Sequence, residues 1–264
     1  MQRVEGEIAN REKRDLPRSA SGPYLTIPTL DNLQRIVHVF TTRNNSLGAR
    51  NRGIKSPSDW DVVADLFNIT ADRVVTANQA HGDVVVIVDD HSYRLMHTTE
   101  ADAMITSTPG IAIGVETADC VPALLIDPTI PAVAAVHAGW RSTVKNIVRK
   151  TVKLMHDRLG SDPTQLIAAF GPAIGPECYE VDEPVMGPVR EAFPFWKDVA
   201  SPRGQEKWSL DLVKANRMEL LQAGVEERNI HSLGICTACR RDLFYSFRAE
   251  GRTGRMLSVV MIKP

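Results

Sequence analysis

Two histidines and one cysteine stand beside apolar, strand-like runs in the middle of the chain. His81 lies in Asn78-Gln79-Ala80-His81-Gly82, Cys120 in Thr117-Ala118-Asp119-Cys120, and His137 in Val136-His137-Ala138-Gly139-Trp140. If those strand ends converge, two imidazoles and a thiolate hold one transition-metal ion with a fourth position open. That is the usual arrangement for catalytic zinc, whereas structural zinc takes four protein ligands. Singly, each residue also has a plainer reading: His81 beside Gly82 caps a turn, and Cys120 is a small buried hydrophobe. His137 is the most telling, because a strand end leading into a helix is where α/β proteins place reactive groups.

The neighbours of His137 extend the case. Gly139 permits close backbone approach, Trp140 walls a site, and Arg141 stands ahead of Ser142 and Thr143, two good N-cap residues. Helix N-terminal amides with an arginine make an anion site; equally, Arg141 pairs with a carboxylate such as Asp119 and only fixes the loop. Asp119 itself reads either as a group that orients a ligand or accepts a proton, or as a turn former. Cys236 and Cys239 form a single C-x-x-C, half a zinc knuckle or a redox pair in isolation, and Cys178 reads as core.

These residues need elements to carry them. Apolar, β-branched runs recur at 36–42, 73–76, 84–88, 103–105, 111–115, 121–126, 132–136, 166–170, 230–235, 243–247 and 257–262, several nearly continuous and so suited to strands buried on both faces. A helical stripe starts at Ser142 and runs through Val144, Ile147, Val148, Thr151, Met155 and Leu159 to a stop at Gly160. Further helices are expected over 59–67, 183–193 and 211–223. Strands outnumber helices and follow one another through short turns, which predicts a single compact α/β domain with mixed sheets flanked by helices rather than an alternating doubly wound fold. Residues 1–22 are mostly polar and form a tail or arm, so the catalytic domain is expected over 23–264.

Bulk properties fit an enzyme and exclude little else. The 264 residues are 43% hydrophobic, enough for a sizeable core, and 31 basic against 32 acidic side chains leave a net charge of −1, with no field to attract nucleic acid or an anionic membrane. Apolar runs such as 84–88 fall far short of the ~20 residues a spanning helix needs. The first residues lack the apolar core of a secretion signal, and 4 cysteines in a chain this long predict no disulfide framework, so a reducing cytoplasm is the expected compartment. The oligomeric state is left open.

Six motifs in order then resemble one family. Gln79-Ala80-His81-Gly82, Ala101-Asp102-Ala103, Thr117-Ala118-Asp119-Cys120, His137-Ala138-Gly139-Trp140-Arg141, Gly171-Pro172-Ala173-Ile174-Gly175, and Cys236-Thr237 with Ser246-Phe247-Arg248 and Thr253-Gly254-Arg255-Met256 look like the laccase-domain (YfiH-type) family. That family has carried the name multicopper polyphenol oxidoreductase. The resemblance implies zinc-dependent purine nucleoside phosphorolysis, with adenosine deamination in some members, and a metal held by His81, Cys120 and His137. It further implies base or sugar contacts from Gln79, Phe247 and Arg248, while Arg43, which ends a strand, and Arg141, which precedes a helix, are expected to hold phosphate beside the metal. It favours packing for Cys236, because the family keeps Cys236-Thr237 without a fixed second cysteine.

Two departures stand out. Asn44-Asn45-Ser46-Leu47-Gly48 and the basic Arg50-Asn51-Arg52 replace the family's glycine-rich loop after Arg43, and Ser142 follows Arg141 where glycine is usual. Both touch substrate preference more than metal binding. Two other chemistries compete with zinc. Copper-dependent oxidation of phenols needs many more ligands than three, and only 7 histidines are scattered here. A thiol hydrolase or amidase acting on cell-wall precursors would use Cys120 as a nucleophile activated by His137.

Overall fold

The computed structural model describes residues 24–43 and 59–264. The polar arm expected over 1–22 and the altered loop after Arg43 lie outside the described residues. Among those described, strands run in the order β1 Tyr24–Leu25, β2 Ile36–Thr41, β3 Val74–Val75, β4 Val85–Ile87, β5 Ala103–Thr106, β6 Ala112–Thr117 and β7 Val121–Asp127. They continue as β8 Ala132–Ala138, β9 Ile167–Phe170, β10 Glu180–Val181, β11 Ala200–Gly204, β12 Lys207–Leu210, β13 Ile230–Ser232 and β14 Met256–Ile262.

Two mixed sheets form the body. The order β13-β9-β7-β8-β5-β4 makes a six-stranded sheet and β1-β2-β14-β6-β3 a five-stranded one, while β10, β12 and β11 form a small third sheet. Side chains alternate across each strand, and both outlets are apolar. In β7, Val121, Ala123 and Leu125 pack with Ile147, Val152 and Met155 of the helix Ile147–Leu159, whereas Leu124 and Ile126 meet Ile113, Val115 and Val260 of the other sheet. The second face of the five-stranded sheet, through Val259 and Met261, covers Val63 and Phe67 of the helix Asp59–Phe67. The layers are therefore helix, sheet, sheet, helix, the mixed α/β domain expected from the sequence.

Four expectations change. The helix from Ser142 is two helices, Trp140–Val144 and Ile147–Leu159, because Asn146 takes a left-handed conformation (φ 62°) that ends one and starts the other. Gly139 occupies the N-cap, so Arg141 sits within the first helix rather than ahead of it; Ser142 and Thr143 are buried inside that helix and cap nothing. Residues 243–247 are not a strand: Leu243 and Phe244 are buried on a turn, and Ser246 caps the short helix Phe247–Glu250 by accepting from the Ala249 amide. Its own N–H donates to Glu250 at 3.0 Å, a reciprocal cap that overrides the β propensity of the apolar residues. Finally, the apolar run at 230–235 is paired as a strand only over Ile230–Ser232, ahead of Gly234 at φ 64°.

Candidate metal centre

Consecutive strands that belong to different sheets create the site. β6 ends in the five-stranded sheet at Thr117 and β7 begins in the six-stranded sheet at Val121, so Thr117-Ala118-Asp119-Cys120 crosses the seam between them. Register places the start of β7 against the end of β8, with Val121 opposite Ala138 and Pro122 opposite His137. Cys120 and His137 are thereby brought to the same end of the sheet. Gly139 follows at once, and a Cβ there would lie 3.0 Å from the Cys120 Sγ and 3.1 Å from the His81 ring, so only glycine leaves the ligands room.

His81 arrives from the loop before β4, held in a left-handed conformation at φ 58°. Asp102 imposes that conformation. Its carboxylate accepts the backbone N–H groups of His81 (3.0 Å) and Gly82 (2.6 Å), and also the Nδ1 proton of His137 at 2.7 Å. One buried carboxylate thus fixes two candidate ligands and directs Nε2 of His137 away from itself. Burial works against its charge, yet the His137 and Gly82 hydrogen bonds hold the Asp102 carboxyl below the usual carboxylate range.

The ligand atoms of His81, Cys120 and His137 all lie within 4.8 Å of one another, with His81 Nε2 3.9 Å from Sγ. The imidazole rings meet edge to face at 4.7 Å between centroids. Although burial raises it, the Cys120 thiol is brought down to about 6 by hydrogen bonds and charge from His137 and His81. Burial likewise opposes the charge on His137, but Asp102 and Cys120 push its pKa up to about 9. A thiolate between two oriented imidazoles is a donor set of the right softness for zinc, and its tight spacing fits a single ion.

The cluster lies in the floor of a cavity of about 550 Å³, within the range of small-molecule sites. Trp140, Tyr179 and Phe247 supply aromatic wall, with the Phe247 side chain 57% exposed, and Arg141, Arg248 and Arg255 supply positive charge. Arg141 stacks on Trp140 at 4.4 Å and has no hydrogen-bond or ion-pair partner among the described residues. Arg248 lies over the Tyr179 ring and donates to the Glu180 carbonyl at 2.6 Å. The Tyr179 phenol is pushed up to about 12, first by burial and then by the charge of Cys120, so it stays protonated at neutral pH.

Several residues expected at the site hold it together instead. Asp119 does not pair with Arg141. Its backbone adopts φ 93°, and its carboxylate accepts from the Thr237 hydroxyl and the Arg248 amide, each at 2.6 Å, while its carbonyl accepts from Ile174. It anchors three segments around the cavity. Gln79 also lines the cavity, but its amide exchanges two hydrogen bonds with the Glu116 backbone (2.7 and 2.8 Å), tying the His81 loop to β6. Arg43 is absent from the cavity wall; it donates to the Arg241 and Phe244 carbonyls, pairs with Glu250 at 2.9 Å, and lies over Tyr245. A phosphate site between Arg43 and the metal ligands does not fit this placement.

Asp102 and Arg255 stand in motifs quoted above but were given no role, and Tyr179 was not singled out from the sequence. For Asp102 a signal existed, an acid placed directly before an otherwise apolar strand; Tyr179 and Arg255 join the cavity only through the fold.

Known proteins share this arrangement of chain. A family model described as multi-copper polyphenol oxidoreductase laccase matches residues 38–263. Purine nucleoside phosphorylase YlmD of Bacillus subtilis is 34% identical over 255 residues, covering 89% of this chain and 91% of that protein. Adenosine deaminase RL5, from an unknown prokaryotic organism, is 34% identical over 206 residues, covering 75% and 78%. The crystal structure of Bacillus licheniformis hypothetical protein YfiH superposes with a TM-score of 0.83 at 29% identity, covering 92% of this chain and 97% of that one. With the match running from β2 to the C-terminal strand, the chain belongs to the multi-copper polyphenol oxidoreductase laccase family of YfiH-type proteins.

Proposed function

We propose that this protein is a zinc-dependent purine nucleoside phosphorylase, with adenosine deamination as a side activity. The observation that carries this reading is the placement in a single cavity of one His-Cys-His cluster, an exposed aromatic ring, and an arginine that among the described residues has no hydrogen-bond or ion-pair partner. Similarity to proteins named purine nucleoside phosphorylase and adenosine deaminase supports the same substrates. Held by His81, Cys120 and His137, zinc supplies Lewis-acid charge at the cavity floor.

The chain's own groups account for the rest. Phe247 offers a face on which a purine stacks, and Trp140 and Tyr179 close the apolar wall. Arg141, stacked on Trp140, neutralises phosphate, which attacks the anomeric carbon as the C–N glycosidic bond breaks and the purine leaves. Tyr179, protonated at neutral pH, donates a hydrogen bond, and Asp119 positions Phe247 and Arg248 through the Arg248 amide. Gln79 bounds the base or sugar side while holding the His81 loop.

Copper-dependent phenol oxidation, which the family's description names, fits less well. Only two of the 7 histidines enter the cluster, where multicopper chemistry needs many more ligands. One observation favours a second reading, a thiol hydrolase: the lowered Cys120 thiol, His137 and Asp102 are arranged as nucleophile, base and orienting carboxylate. It leaves His81 without a purpose, although Asp102 and Gly139 are both arranged to admit that ring beside the sulfur.

The discriminating experiment incubates the zinc-loaded protein with adenosine, with and without phosphate. Adenine and ribose 1-phosphate formed only with phosphate are expected, with a smaller yield of inosine. Neither product forming from adenosine, inosine or methylthioadenosine would refute the reading.

A further inference from the structure

The fold brings a second group of sulfurs together. Cys178, Cys236 and Cys239, separated in sequence by the helices Glu183–Ala192 and Leu212–Gln222, place their thiols within 4.8 Å of one another, with Cys178 and Cys239 3.3 Å apart. Pairing of the two segments makes the convergence firm. Ala173 bridges to Cys236, Ala173 donates to the Ile235 carbonyl (3.2 Å), and Thr237 donates to the Ala173 carbonyl (3.0 Å).

The cluster has the local features of a thiolate metal site. The Gly175 N–H donates a hydrogen bond to the Cys236 sulfur at 3.1 Å and so orients it. Glu177 Oε2 and Cys236 Sγ approach the same face of Gly175, lying 3.1 and 3.4 Å from where its Cβ would be, so a carboxylate stands close to the sulfurs. Two of the cysteines are half-buried and Cys239 is exposed, which gives an ion a path from solvent. A bare disulfide between Cys178 and Cys239 would leave Cys236 and its N–H···S bond unexplained. Around zinc at ~2.3 Å from each sulfur, tetrahedral geometry sets the sulfurs ~3.8 Å apart, between the 3.3 Å of Cys178 and Cys239 and the 4.8 Å within which all three lie.

We propose that Cys178, Cys236 and Cys239 form a second, three-thiolate zinc site at the rim of the cavity, with Glu177 or solvent completing the coordination. Its residues lie between groups that the cavity uses: Tyr179 adjoins Cys178, and Thr237, next to Cys236, holds Asp119. Occupancy would clamp 174–179 to 235–239. The inference does not rest on the reaction proposed above, because none of the three sulfurs is a ligand of the cavity cluster.

Metal content per chain tests it in full-length protein saturated with zinc and freed of excess. Wild type is expected to hold two zinc ions, and Cys120→Ser and the double variant Cys178→Ser/Cys239→Ser one each. Cobalt(II) added to Cys120→Ser should give an intense thiolate-to-cobalt charge-transfer band, which Cys120→Ser/Cys178→Ser/Cys239→Ser lacks. As a measurement independent of any variant's folding, alkylation of Cys178, Cys236 and Cys239 in wild type should slow at least tenfold with zinc relative to chelator. A folded Cys120→Ser protein that takes up no zinc, equal alkylation rates at the three thiols with and without zinc, or a Cys178–Cys239 disulfide that persists in zinc-loaded protein would each overturn the proposal.

Discussion

Asp102 decides how the site behaves chemically, since one carboxylate orients His137 and also imposes the backbone turn that delivers His81. Asp102→Asn keeps the size but presents a donor to amides that need an acceptor. Loss of such outer-shell support lowers metal affinity by about 10–100-fold, so zinc competition titration should show a drop of that order with the fold intact. The Cys120 and His137 shifts make a second prediction about protons. Between about pH 6 and about pH 9 the metal-free site holds a thiolate and an imidazolium. Zinc uptake must then expel the His137 proton, about one per ion at neutral pH in a weakly buffered solution. Release should fall toward zero above pH 9, where His137 is already neutral, and rise below pH 6 as Cys120 adds its own proton. A release independent of pH would show that the pair does not titrate as described.

At the level of elements, the ligands are placed by strand ends at a seam between sheets, and the tightest point is Gly139. Its backbone is ordinary (φ −70°, ψ 168°), so Gly139→Ala tests crowding alone, with the new Cβ 3.0 Å from the Cys120 sulfur. Zinc affinity should fall about tenfold or more while the melting temperature stays close to wild type, as for a change in metal support rather than in packing. The strands that matter most were legible in the sequence because their continuous apolar runs are buried on both faces, as β7 and β8 are. His81, Cys120 and His137 were legible too, each flanking such a run. The break at Asn146 was not, since the apolar stripe continues across it and only the backbone reverses hand. Residues 243–247 misled because Leu243, Phe244 and Tyr245 carry strand propensity, whereas the reciprocal cap between Ser246 and Glu250 forms a helix there. Arg43 was expected beside phosphate because it ends a strand, and its carbonyl and Glu250 contacts arise from segments some 200 residues away in sequence, which local pattern does not reveal.

For the whole molecule, the two-sheet body makes one rigid rim on which metal ligands, aromatic wall and arginines meet from five or more distant segments. No helix among the described residues is long and apolar enough to cross a membrane. The proposed function makes the reaction depend on an ion held by His81, Cys120 and His137. It is tested by measuring phosphate-dependent cleavage of inosine as chelated protein is titrated back with zinc, while alkylation of Cys120 is followed in the same samples. Activity rising in proportion to zinc held at this cluster, with Cys120 becoming protected in step and Cys120→Ser inactive, is the expected result. Full activity in chelator, abolished by alkylating Cys120, would contradict it and point to the thiol nucleophile instead.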